Sequence, residues 1–167
     1  MIEKFNNLSI EDKQKELEKC CGSSRWISAM VVATPFKNLN SMHEKCDQIW
    51  SMCKEEDYLE AFSHHPQIGD ITSLKEKFAH TSKWASNEQQ GTSIASDDLL
   101  LKLKSANDTY LKKFGFIFIV CATGKTAEQM LELLENRMSN NRLQELITAA
   151  SEQNKITHLR IDKLINP

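Results

Sequence analysis

Phe116-Ile117-Phe118-Ile119-Val120-Cys121-Ala122 is the stretch on which the fold class turns. It is aromatic and β-branched, and in isolation it reads as a strand. A buried strand needs a partner, and nothing else in the 167 residues alternates convincingly between apolar and polar positions. The segment is therefore expected to be either a short buried helix or an extended core segment between two helices. On both sides of it the apolar residues recur with helical spacing. Leu99, Leu103, Ala106, Tyr110 and Phe114 form one stripe. It follows Ser96-Asp97-Asp98, whose acids suit the positive end of a helix, and Gly115 can end it. Ala127, Met130, Leu131, Leu134 and Met138 form the next, opened by Thr126-x-x-Gln129 as a reciprocal cap.

Working outward, Met42, Cys46, Ile49, Trp50 and Cys53 form a further stripe, with Ser41-x-x-Glu44 read as its capping box. A long helix is predicted from about Leu143 to Leu164. Shorter ones are predicted over Glu11–Cys21, Ser24–Ala33 and Asp57–Phe62. Trp26 and Trp50 are expected in the core. The pattern is all-α, a compact multi-helix bundle. The length fits a single domain over residues 1–167, on a prior of roughly 100–200 residues per domain.

Composition excludes several classes. Twenty-one Lys+Arg against 23 Asp+Glu give a formal net charge of -2, so no cationic field is available for nonspecific nucleic-acid binding. The longest unbroken apolar run is Phe116 to Ala122, far short of the roughly 20 residues a membrane span needs. The opening MIEKFNNLSIEDK has no apolar h-region, and Ile165-Asn166-Pro167 matches no retention address, so a cytoplasmic location is expected. The five cysteines, Cys20, Cys21, Cys46, Cys53 and Cys121, are expected to be reduced and mostly buried. His43-x2-Cys46, Cys53 and His64-His65 are ligand types for zinc, but no pair has the C-x2-C spacing of a structural site, and no metal is expected. Gly124-Lys125-Thr126 resembles the end of a phosphate loop. That motif needs a second glycine five positions before Gly124, where Ile119 stands.

Three places can carry chemistry. In His64-His65-Pro66-Gln67-Ile68-Gly69-Asp70, Pro66 stops helix continuation and holds His65 extended. An imidazole there is set on rigid backbone at a helix end, and His is the default proton-transfer group near neutral pH. The plainer alternative is a helix-ending turn with solvated histidines. In Ser86-Asn87-Glu88-Gln89-Gln90-Gly91, Glu88 can move protons and Gln89 can offer a donor and an acceptor to a planar amide. The plainer alternative is a polar helix start. Arg160 lies four residues from both Ile156 and Leu164, so it projects with them and needs an anionic partner. That partner is an internal carboxylate or a ligand carboxylate held by the planar fork. Arg137 and Arg142 follow the same logic with less force, and both read as helix-end cations.

Trp26, Pro35-Phe36, His65-Pro66-x-Ile68-Gly69, Glu88-Gln89, Asn107-x-x-Tyr110-x-x-Lys113-Phe114-Gly115-Phe116 and Lys155-Ile156-x-x-Leu159-Arg160 occur in that order. Together they resemble the 2-oxo-4-hydroxy-4-carboxy-5-ureidoimidazoline (OHCU) decarboxylase family, from about Leu8 to Leu164. The resemblance implies an all-helical enzyme that converts OHCU to (S)-allantoin in urate degradation, with no cofactor and often as a homodimer. It implies His65 and Glu88 as catalytic residues. It implies Gln89, Arg160 and Pro66 as substrate-binding or pocket-shaping residues, and Phe116 as a place where backbone nears the ligand. One position departs. Many members carry a substrate-binding serine three residues before the glutamate; Ala85 stands there, and Ser86 follows one residue late. Two rivals stay open at this point: a metal-dependent hydrolase of a ureide ring compound, which a chelator would inactivate, and a noncatalytic helical interaction module with a large exposed apolar patch.

Overall fold

In the protein's structure, a computed structural model, residues 2–65 and 97–166 are described. They form helices and no strand: α1 (Ile2–Asn6), α2 (Ile10–Glu18), α3 (Ser24–Val32), α4 (Leu39–Ser51), α5 (Glu55–Ser63), α6 (Asp97–Phe114), α7 (Ala127–Arg137) and α8 (Arg142–Ile165). The all-helical expectation holds. The chain divides into two compact units, residues 1–65 with 146–167, and residues 66–145.

In the first unit α3 packs against α2, α4 and α5. Trp26, Met30, Met42 and Cys46 are completely buried there. α4 and α8 run side by side and antiparallel, as their ordered contacts show. His43 Nε2 meets Asp162 at 2.8 Å, Asp47 accepts from His158 at 2.7 Å and from Asn154 at 2.6 Å, and the Trp50 indole donates to the Ala150 carbonyl at 2.9 Å. The His43 and His158 rings stack between these carboxylates, 4.5 Å apart. Burial alone would raise the Asp47 carboxyl, but the bonds from Asn154 and His158 outweigh it and hold the carboxyl below its usual range. α1, which apolar spacing did not signal, has a definite task. Asn6 donates to the Phe36 carbonyl at 2.8 Å and accepts from its N–H at 2.9 Å, pinning the loop between α3 and α4.

In the second unit α6 packs against α7. Gly115 ends α6 with φ of +79°, a conformation a side chain would strain. Residues 116–122 then take the non-helical one of the two expected forms and join no strand pair among the described residues. Phe116 and Phe118 bury their rings against Tyr110, edge-on at 6.0 and 5.2 Å. A segment without a ladder must still satisfy its carbonyls. Side-chain cations meet two of them, Arg137 donating to Ile119 at 2.8 Å and Lys125 to Cys121 at 2.8 Å, while Arg142 donates to the Phe114 carbonyl at the end of α6 at 3.2 Å.

Two expectations are corrected here. The capping box of α4 is Asn38 with Ser41, not Ser41 with Glu44; Ser41 occupies the third helical position and returns the bond. The helix thus starts a turn earlier, because Asn is as good a cap as Ser. Arg137 is no mere helix-end cation. Its Nε donates to the carboxylate of Glu145 at 2.8 Å, and Glu145 is fully buried. Tyr110 and Asn140 also donate to that carboxylate. Burial, and then the bond to Glu145, push the Tyr110 hydroxyl far above its usual range, so it stays a donor. The reciprocal cap predicted for Thr126 and Gln129 is present as read.

Candidate functional site

His65 follows the C-terminal turn of α5, where its N–H bonds the Phe62 carbonyl at 3.1 Å and that of His64 bonds Ala61 at 3.3 Å. The two histidines part company at the side chains. The His64 ring lies across Gly22, so close that a Cβ on Gly22 would stand 2.3 Å from it. Only glycine permits that approach. The half-buried His65 ring instead turns to α8, with Nε2 2.5 Å from the amide oxygen of Gln153.

α8 supplies the rest of this face from Gln153, Thr157 and Arg160, at i, i+4 and i+7. Gln153 and Thr157 are buried, and the Gln153 amide nitrogen donates to the Thr157 hydroxyl at 3.2 Å. Arg160, half-buried, donates to the backbone carbonyl of Cys20 at 3.3 Å. It pairs with no carboxylate among the described residues, so the internal ion pair belongs to Arg137 instead. Seven residues of helix rise about 10 Å, so His65 and Arg160 are brought to one face of α8 with their anchors about that far apart. Beside Arg160 a pocket of about 370 Å³ is lined by Glu16, Lys19, Cys20, Lys163 and Leu164. Lys19 is paired with Glu16 at 2.6 Å, which leaves Arg160 and Lys163 as surplus positive charge around it. The pocket therefore favours an anion.

The cysteines near this face are structural. Burial pushes the Cys20 thiol up to about 12, and the Cys21 thiol up to about 11 against the pull of bonds from Ser23 and Thr157. Neither is a thiolate near neutral pH. Among the described residues no three His, Cys, Asp or Glu side chains gather as a metal site requires.

Phe116 belongs to the second unit, buried beside Phe114 with the Arg142 guanidinium 6.0 Å from its ring. Pro66, Ser86, Glu88 and Gln89 lie outside the described residues, as does Trp84. Sequence reasoning missed Gln153, Thr157 and Gly22. Two of them are polar residues on the buried stripe of a helix, continuing the line of Ala149, Ala150 and Ile161. A polar pair at i, i+4 on such a stripe was the available signal.

The chain has clear relatives. The profile of the OHCU decarboxylase family matches residues 6–162. A uric acid degradation bifunctional protein of Arabidopsis thaliana is 38% identical over 161 residues, which are 95% of this chain and 49% of that protein. The chain thus spans about half the length of that relative. A 2-oxo-4-hydroxy-4-carboxy-5-ureidoimidazoline decarboxylase of Halalkalicoccus jeotgali is 27% identical over 149 residues, 86% of this chain and 80% of that one. A crystal structure of an OHCU decarboxylase in the presence of (S)-allantoin superposes with a TM-score of 0.75 at 38% identity, covering 91% of this chain and 98% of that one. The structure of an (S)-allantoin synthase, at 16% identity and a TM-score of 0.73, shares the fold. A helical chain with a histidine and an arginine on one face, matched end to end by this profile, belongs to the OHCU decarboxylase family.

Proposed function

We propose that this chain decarboxylates OHCU to (S)-allantoin without a cofactor, the step that completes urate conversion. The observation that carries the reading is the face of α8, where His65 is held by Gln153 and Arg160 borders a positively charged pocket, in a chain of this family.

The substrate bears a carboxylate on a ring carbon that also carries a hydroxyl, next to an imine-like nitrogen. When the bond to CO2 breaks, its electron pair passes into the ring, which serves as its own electron sink. The protein has three tasks. Arg160 grips the anionic or ureido group and fixes the carboxylate out of the ring plane. His65 accepts the hydroxyl proton. Glu88 delivers a proton to one face of the resulting carbanion or enol, while Gln89 fixes the planar heterocycle. Pro66 shapes the cavity, the backbone at Phe116 nears the ligand, and Ser86 supplies the hydroxyl that Ala85 lacks. Fixing reactants in this way removes several kcal/mol of barrier, and general acid–base help adds typically 10²–10⁴-fold.

We read residues 1–167 as a single domain, with the small-molecule substrate as its ligand, a second copy as its partner, and neither nucleic acid nor membrane. No helix among the described residues is long and apolar enough to cross a membrane. None of the five thiols joins a disulfide, which suits a reducing compartment, here taken as the cytoplasm. The test couples urate oxidation and hydrolysis to this protein and follows circular dichroism. Growth of the (S)-allantoin signal above the spontaneous rate supports the reading; racemic allantoin at the background rate overturns it.

A further inference from the structure

We propose that Gln153 is a positioning residue that fixes the tautomer of His65, so that the proton His65 exchanges is always the one on Nδ1. The inference rests on the reading of His65 as the proton-transfer group.

Gln153 is completely buried, so its amide must find partners for both ends. Its Nε2 is 3.2 Å from Thr157 Oγ1, and its Oε1 is 2.5 Å from His65 Nε2. The Thr157 hydroxyl has a single hydrogen, which the backbone carbonyl of Gln153 at 3.0 Å and the Cys21 sulfur both draw on. Toward the amide it therefore accepts, and only the NH2 end of Gln153 can face it. Turning the amide over would cost Thr157 its carbonyl bond. The carbonyl end of Gln153 must then face His65, and an amide oxygen only accepts. His65 Nε2 carries a hydrogen whether the ring is neutral or charged.

The consequence reaches the reaction. The ring takes the substrate's hydroxyl proton at Nδ1 and after turnover releases it from Nδ1, to solvent or to Glu88, which has given its own proton to the product. The Nε2–H to Gln153 bond persists throughout and strengthens as the ring becomes cationic, since charged donors make the stronger hydrogen bonds. Gln153 touches neither substrate nor reacting atoms, so its effect passes through His65.

The direct test is a long-range ¹H–¹⁵N correlation spectrum of the whole chain with ¹⁵N-labelled histidine, recorded above the imidazolium titration. The His65 signals are identified by their loss in His65→Asn. Hydrogen on Nε2 is expected; neutral His65 with its hydrogen on Nδ1 overturns the proposal. Two variants extend the test. Gln153→Glu keeps an acceptor and adds negative charge, so the His65 titration and the acid limb of the kcat profile move to higher pH. Gln153→Leu removes the acceptor, moves both to lower pH, and lowers kcat by roughly 10²-fold, as small misplacements do, with KM little changed. Titrations that stay at the wild-type value in both variants overturn the proposal. If Gln153→Leu does not fold, the wild-type spectrum and Gln153→Glu carry the test. A chain with hydrogen on Nε2 that leaves OHCU untouched overturns the decarboxylase reading and supports this one.

Discussion

Adjacent imidazoles rarely have equal surroundings, and the backbone of α5 shows why. Consecutive side chains leave a helix end in different directions, so His64 comes to lie on Gly22 while His65 meets Gln153. The two should respond unequally to the same substitution. His65→Asn is expected to lower turnover by roughly 10²-fold or more with the fold intact, as removal of a general acid–base does, whereas His64→Asn should cost far less. Steady-state kinetics of both variants decide it, and equal losses would mean the pair is misassigned. Arg160 offers a second residue-level test. Arg160→Lys keeps the charge but loses the planar fork. With no carboxylate partner in the described residues to lose, the melting temperature should stay near native while KM rises. A large drop in melting temperature with unchanged kinetics would make Arg160 a brace for the Cys20 carbonyl.

Among the elements, apolar periodicity located seven of the described helices, since long stripes survive a residue or two of error at each end. It missed α1, a single turn and a half whose importance lies in one polar side chain, Asn6. On α8 it chose a face centred on Ile156, Arg160 and Leu164, all only partly buried, while the buried stripe runs through Ala149, Gln153, Thr157 and Ile161. Alanine, glutamine and threonine do not announce burial, so that face, and with it half of the described site, was not legible. The buried ion pair was looked for at Arg160 and found at Arg137 for a related reason: Glu145, eight residues away, has no apolar signature. That pair yields a stability prediction. Glu145→Gln strands a mostly buried guanidinium and should cost about 3 kcal/mol or more in urea denaturation, whereas joint replacement by Arg137→Met and Glu145→Met should recover most of the loss. Additive losses in the double variant would show that the two side chains are not coupled and that each contributes through its other contacts.

For the molecule as a whole, family membership was legible because six short motifs keep their order over almost the entire chain, each too weak alone. Glu88, Gln89, Pro66 and Ser86 rest on that order, since they fall outside the described residues. The balanced charge and the absence of any disulfide among the five thiols give the rest of the expectation its shape. Activity should survive exhaustive chelation, measured with the coupled circular-dichroism assay. Recovery of activity only on adding a divalent metal would promote the hydrolase rival.

The segment from 116 to 122 has two of its carbonyls, those of Ile119 and Cys121, met by arginine and lysine side chains. In a helix each amide hydrogen is locked by the carbonyl four residues back, and solvent reaches it only when the turn opens. At Ile119 and Cys121 the donors are guanidinium and ammonium groups, so those two carbonyls lock no peptide nitrogen. Deuterium uptake should therefore split the second unit by segment: slow across the interiors of α6 and α7, fast between them, although Phe116, Phe118 and Ile119 are as buried as the helices they join. Uniformly slow uptake through Phe118 and Ile119 would show that side-chain packing alone excludes solvent from those amides.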